Sequence, residues 1–144
     1  MNNEFNPLLL DNQLCFPLYV CSKEIIRRYT PFLEPLGLTY TSYITLMSLW
    51  EQDNVSVKEL GIRLFLDSGT LTPLLKKMES QGLVTRQRSE QDERNVNICL
   101  TDAGREMEKK CRDIPQKMMC SNIIDRDDAI VLVGMLHKLM KKMK

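Results

Sequence analysis

The sequence predicts a mostly α fold with a small β-wing: a winged helix-turn-helix whose N- and C-terminal helices intertwine in a homodimer. Three observations predict it. Leu83 to Arg88 and Asn95 to Leu100 alternate apolar with polar residues around a charged tip, Glu90 to Arg94, and so read as a β-hairpin. Directly upstream, Val57, Leu60 and Leu64, then Leu71, Leu74, Leu75 and Met78, form two short apolar stripes at helical spacing, parted by a turn around Phe65 to Gly69. The segments flanking this lobe carry apolar faces broader than one small core requires. Helix, turn, helix and wing in that order outline a DNA-binding lobe.

The remaining elements follow from periodicity and end signals. From about Asn12 to Leu33, Leu14, Leu18, Cys21, Ile25, Tyr29 and Phe32 recur every three or four residues, with Asp11 or Asn12 as the N-cap. Pro35-Leu36-Gly37 ends that helix. Thr39 caps the next, which runs through Tyr43, Leu46, Met47 and Trp50 to about Gln52, and Asp53-Asn54 is a turn signal. The helix-turn-helix follows, its second helix spanning 71–81. Behind the wing, Thr101 caps a helix with Ala103, Met107, Cys111, Ile114 and Met118 on one stripe, kinked at Pro115. Asp125 starts the last helix. The chain, 1–144, is one domain: a winged lobe at 39–100 with dimerisation helices at 8–36 and 101–144.

Composition narrows the function classes. With 144 residues, 43% of them apolar and 27% charged, the chain can bury a real core and is globular. Its longest nearly apolar run, Ala129 to Leu136, falls far short of the roughly 20 residues that cross a bilayer. Met1-Asn2-Asn3-Glu4 has no basic or apolar leader character, so a cytoplasmic chain without a membrane partner is expected. Five cysteines there are expected as thiols. Without a C-x-x-C pair, and with His137 the single histidine, no metal and no cofactor are expected.

The net charge is only +1. From Lys76 to Arg94 the bases Lys76, Lys77, Arg86, Arg88 and Arg94 are nearly cancelled by Glu79, Glu90, Asp92 and Glu93. A nucleic-acid footprint here must come from orientation, with acids facing away or bridging to arginines. In the last helix, Ile130, Val131 and Met135 widen a stripe already made by Ala129, Leu132, Val133, Leu136, Leu139, Met140 and Met143. A second copy is the natural cover, and the nine methionines suit an adaptable helix interface as well as they suit core filling.

These residues resemble a known family. The run from Asp67 through Val84, then Asp92-Glu93-Arg94, then Leu100-Thr101-Asp102-Ala103-Gly104, is similar to the multiple-antibiotic-resistance regulators (MarR). Leu10 to Tyr19, Tyr29, and Leu38 to Tyr43 are similar to the organic-hydroperoxide sensors (OhrR) within it. The resemblance implies a dimeric regulator, a repressor, whose N-terminal cysteine is oxidised by an organic hydroperoxide with release of a pseudo-palindromic double-stranded operator.

On the residues alone, Cys15 is either a small buried hydrophobe or a reactive thiol near a helix N-terminus, where unpaired amides and the dipole favour the reactive thiolate. The resemblance selects the sensor. It implies that Tyr29 and Tyr40 donate to that thiolate across the dimer. Leu14, Phe16, Leu18 and Tyr19 would line an apolar pocket suited to an alkyl or aryl hydroperoxide. Cys21, Cys99 and Cys111 read as packing. The resemblance makes Cys120 a candidate resolving residue, forming an intersubunit disulfide with Cys15; otherwise Cys15 works alone with a low-molecular-weight thiol.

For DNA, Ser68, Thr70 and Thr72 are expected to make base-edge or phosphate bonds from the N-terminal end of the recognition helix. Lys76 and Lys77 would contact phosphates or bases; Lys77 stands where the family often has arginine, which loses bidentate geometry. Arg94, held by Asp92 in a D-x-R pair, would enter the minor groove, and Arg86 and Arg88 would take phosphates. Two competing readings remain: a thiol peroxidase, disfavoured because no Gly-rich loop or βα alternation is present, and a regulator of the same fold released by an aromatic ligand without cysteine oxidation.

Overall fold

Capping chemistry sets most helix starts in the first half of the chain. The computed structural model describes residues 6–92 and 94–143. Helix α1 spans Cys15–Leu33 and α2 spans Tyr40–Glu51. Between them a 3₁₀ turn, Glu34–Leu36, ends on Gly37 at φ 69°, the left-handed conformation that costs glycine nothing. The expected Thr39 cap is a reciprocal box: Ser42 N–H donates to Thr39 Oγ1 at 3.3 Å, and Thr39 N–H donates to Ser42 Oγ at 2.8 Å. Ser56 and Glu59 build the same box at the start of α3, Val57–Leu64.

The first helix departs from expectation, because neither Asp11 nor Asn12 caps it. Both lie in a separate 3₁₀ turn, Leu10–Asn12, where Asn12 Nδ2 donates to the Asn6 carbonyl at 2.8 Å and Gln13 Nε2 to the Leu9 carbonyl at 3.0 Å. Helix α1 therefore opens at Cys15 behind Leu14, without a side-chain cap. Pro17 fits this first turn, where a missing N–H costs least. Only Leu33 of α1 is buried.

Helix α4 spans Ser68–Ser80, three residues ahead of the expected start, because Asp67 caps it by accepting Thr70 N–H at 2.7 Å. Strands β2, Val84–Arg88, and β3, Val96–Leu100, form the expected hairpin in the register Val84↔Leu100, Arg86↔Ile98, Arg88↔Val96. A two-residue strand that the sequence did not announce, β1 at Val55–Ser56, pairs with β3, so the sheet order is β1-β3-β2. Leu46, Leu49, Leu60, Leu71, Leu75, Met78 and Ile98 are the fully buried residues that join α2, α3 and α4 to this sheet. Helix α5 spans Asp102–Cys111, and Thr101 caps it by accepting Gly104 N–H at 3.0 Å. Trp50 Nε1 donates to the Gly104 carbonyl at 3.0 Å, pinning α5 to α2.

The chain divides into two units, one ending at Cys111 and the other beginning at Arg112. In the second, α6 spans Ile114–Met119 and α7 spans Arg126–Lys141. Pro115 does not kink a continuous helix, as the sequence suggests; α5 stops and Pro115 sits in the first turn of a new one. A proline inside a helix would clash with the carbonyl four residues back, whereas the opening turn has no such bond to break. Asp125 stands at the start of α7 as expected, without a side-chain cap bond. No residue of α7 is buried, and Ile130, Val131 and Met135 are each more than 60% exposed.

Candidate DNA interface and thiol site

The wing is built on a small polar hub. Asp53 Oδ1 accepts the amide of Leu100 at 2.8 Å, and Oδ2 pairs with Arg105 at 3.0 Å. Asn54, left-handed at φ 57°, accepts from Asn97 Nδ2 at 3.2 Å and from Cys99 Sγ at 3.3 Å. The sequence showed these two residues only as a turn; their side chains anchor the base of β3. At the tip, Ser89 N–H donates to the Asn95 carbonyl at 2.8 Å, and Asp92 Oδ1 accepts the Arg94 amide at 3.0 Å. The Asp92–Arg94 pair is thus made with the main chain, not with the guanidinium. Glu93 lies outside the described residues.

A second acid acts in the same way. Glu79, on α4, accepts the amide of Arg86 in β2 at 3.0 Å. Both carboxylates hold the backbone beneath an arginine, and among the described residues neither arginine's guanidinium is ion-paired. Arg86 Nε is buried without a hydrogen-bond partner in that same set.

A cleft of about 540 Å³ opens between α3, α4 and the wing. It brings together Ser68, Thr72, Arg86 and Arg94 from the expected contacts, and adds Ser56 and Lys58, which the sequence reading missed. Thr70, Lys76, Lys77, Arg88 and Asp92 do not line it, although all five are exposed. Lys58 carries no local signal beyond being a charge on a solvated helix face. The arrangement offers hydroxyls at the start of α4 and cations from α3, strand β2 and the wing tip to one extended anion.

Cys15 is exposed and is the first residue of α1. Around it Leu14 and Tyr19 are exposed, Phe16 and Leu18 are half-buried, and Lys23 Nζ stands 5.2 Å over the Tyr19 ring. Tyr29 lies fourteen residues further along the same helix, about 21 Å away at 1.5 Å per residue. There its ring centroid is 5.2 Å from Tyr40 and 5.9 Å from Tyr43. The chain therefore brings Tyr29 and Tyr40 together and keeps Cys15 apart from them. Burial raises the hydroxyls of Tyr29 and Tyr40, with each other's charge adding at Tyr29, and pushes Tyr43 up to about 12, so all three are protonated donors at neutral pH. Tyr43, which the sequence reading placed only on the second helix, is the third ring of this cluster.

The other thiols divide by environment. Burial pushes up Cys111, and it pushes up Cys99, where Asp53 adds to the effect and Arg105 opposes it, so both are poor nucleophiles near neutrality. Cys21 was expected to pack, yet it is exposed in the single chain, as is Cys120.

Comparison with known proteins adds a family model, two relatives and a set of solved structures. Residues 27–111 match the family model described as transcriptional regulator SarA/Rot. The chain is 45% identical to the organic hydroperoxide resistance transcriptional regulator of Bacillus subtilis, over 98% of this chain and 96% of that one. It is 47% identical to the HTH-type transcriptional regulator SarZ of Staphylococcus epidermidis, over 92% and 90%. Among solved structures, reduced AbfR bound to DNA superposes with a TM-score of 0.81 at 32% identity, covering 93% of this chain and 94% of that one. AbfR, from Staphylococcus epidermidis, has also been solved overoxidised on DNA and in a disulfide-formed state.

Proposed function

The chain belongs to the MarR-type winged-helix transcriptional regulators, in the SarA/Rot group, and from that premise we propose that it is a dimeric repressor that releases its operator when an organic hydroperoxide oxidises Cys15. The observation that carries the redox part is the position of Cys15: exposed at the head of α1, about 21 Å from the tyrosine pair on its own chain. A second copy that lays its Tyr29 and Tyr40 beside this thiol completes a site that one chain lacks. The names of the Bacillus relative and the redox states in which AbfR has been solved support the same reading.

In this reading, residues 8–36 and 101–144 form the dimer and 39–100 the DNA-binding lobe. Ser68, Thr70 and Thr72 enter the major groove. Lys76 and Lys77 contact phosphates or bases, Arg86 and Arg88 take phosphates, and Arg94, positioned by Asp92, reaches the minor groove. The thiolate of Cys15 attacks the terminal peroxide oxygen; the O–O bond breaks, the alkoxide leaves and takes a proton from solvent to become the alcohol, and a sulfenic acid remains. That sulfenic acid then condenses with Cys120 of a second copy or with a small thiol, losing water in either case.

The test is a DNA-shift series with reduced protein, then cumene hydroperoxide, then dithiothreitol. Binding is expected, then loss, then recovery. Cys15→Ser is expected to bind DNA and ignore the peroxide, whereas release of DNA from that variant on peroxide treatment would remove Cys15 as the sensor. Cys120→Ser separates the two resolving routes: disappearance of a Cys15–Cys120 crosslink on non-reducing gels supports the disulfide, and normal thiol recovery without any such crosslink supports the small-thiol cap.

A further inference from the structure

We propose that Glu79 is a positioning residue for the DNA interface, fixing the wing to the recognition helix through the main chain of Arg86 so that the Arg86 guanidinium is held in the cleft for a phosphate. The inference rests on the DNA-binding reading above and adds to it the part that aligns its two halves.

The geometry has three components. In the order β1-β3-β2, strand β2 is an edge. Hydrogen bonds from Thr101 N–H to the Leu83 carbonyl, 3.1 Å, and from Ser89 N–H to the Asn95 carbonyl, 2.8 Å, fix the phase of the ladder. By the alternation of antiparallel pairs, the Arg86 amide then points out of the sheet, where no strand can accept it. Glu79 fills that place from the last turns of α4, accepting the amide at 3.0 Å. The Arg86 side chain lines the cleft with Ser68, Thr72 and Arg94, and its Nε is buried without a partner among the described residues. A buried donor left unpaired costs free energy, and an arriving phosphate oxygen is an acceptor of the charge and size that a guanidinium binds best.

The Glu79 carboxylate is engaged by the backbone and, among the described residues, forms no ion pair with the Arg86 guanidinium, which keeps its hydrogen-bond donors for a ligand. Beyond the apolar packing between them, the recognition helix and the wing strand are thus tied by a hydrogen bond at Arg86.

The sign of the effect makes the idea testable. Removing an acid near DNA ordinarily tightens binding by lessening repulsion; here it should weaken it. The probe is a duplex selected from a randomised pool by the wild-type full chain, with binding followed by fluorescence anisotropy across a salt series. Glu79→Ala should bind about tenfold more weakly and flatten the salt dependence by about one phosphate contact, a slope change of roughly 0.9. Glu79→Gln, which keeps a carbonyl oxygen for the amide, should restore both. The Glu79→Ala/Arg86→Ala double variant should bind no more weakly than Arg86→Ala alone.

Unchanged or tighter binding by Glu79→Ala would overturn the proposal, as would a Glu79→Gln variant as weak as Glu79→Ala. Hydrogen exchange at the Arg86 amide gives a readout that needs no variant: slow exchange in the wild-type protein is expected, and exchange as fast as at an exposed edge amide would overturn the bond itself. Failure of the wild-type chain to select any duplex would instead count against the DNA-binding reading, and the exchange measurement would still decide whether Glu79 holds Arg86.

Discussion

In a chain of net charge +1, Glu79 and Asp92 accept main-chain amides and, among the described residues, ion-pair with no guanidinium, so Arg86 and Arg94 keep their donors free for a ligand. Charge counting along 76–94 gave near-neutrality; the carboxylate partners that decide the matter are main-chain atoms, which no composition reveals. Arg94→Ala should weaken binding to the selected duplex by on the order of 1–3 kcal/mol with fold and oligomeric state unchanged, as read by titration beside circular dichroism. Undiminished affinity in that variant would remove the wing tip from the interface. Part of the candidate site was readable from residues, namely Cys15 at a helix head and the hydroxyls and cations of the cleft, whereas Tyr29 and Tyr40 came only from the family resemblance. Lys58 and Tyr43 were not, since each sits on a helix with no unusual spacing and acquires its place only when another element packs beside it.

At the scale of elements, what the sequence showed was whatever is written locally. The Thr39 and Thr101 caps, the Gly37 stop and the alternation of both wing strands all depend on residues within a few positions of one another. Strand β1 is two residues long, too short to show a period, and exists only because Val55 meets Ile98. Ser68 and Gly69 have poor helix propensity and hid the first turn of α4, although Asp67 was there to cap it. One joint is both local and tertiary. A Cβ built on Gly104 would lie 2.1 Å from the Leu83 carbonyl oxygen, which is itself held by the Thr101 amide. Alanine gains about 1 kcal/mol of helix propensity over glycine, but that contact cannot be relieved by rotating a side chain. Gly104→Ala should therefore lower the midpoint of denaturant unfolding and weaken DNA binding, because the backbone that must yield leads directly into β2. A midpoint at or above that of the parent would mean that α5 can shift freely against the wing.

For the whole molecule, the unpaired surface is concentrated at its two ends. Leu8 and Leu14 are 89% and 69% exposed, α1 buries only Leu33, and α7 buries nothing. Apolar burial at about 25 cal/mol per Å² makes such faces strong drivers of association. Light scattering at micromolar concentration should give twice the 16.8 kDa of one chain, and deletion of 126–144 should abolish that mass and operator binding together. A monomer that still binds DNA would sink the arrangement.

The separation of about 21 Å along α1 between Cys15 and Tyr29 has a genetic consequence. The sensor proposed above, assembled from two chains, would belong to no single allele. A Cys15→Ser allele contributes tyrosines without a thiol, and a Tyr29→Phe/Tyr40→Phe allele contributes a thiol without tyrosines. Expressed alone, the first should be unresponsive and the second sluggish. Expressed together with different tags, they should form mixed dimers in which one of the two sites is whole; separated from the Cys15→Ser homodimers, which would hold the operator regardless, such a mixed dimer should regain fast peroxide oxidation of its one Cys15, while the Tyr29→Phe/Tyr40→Phe homodimer stays slow.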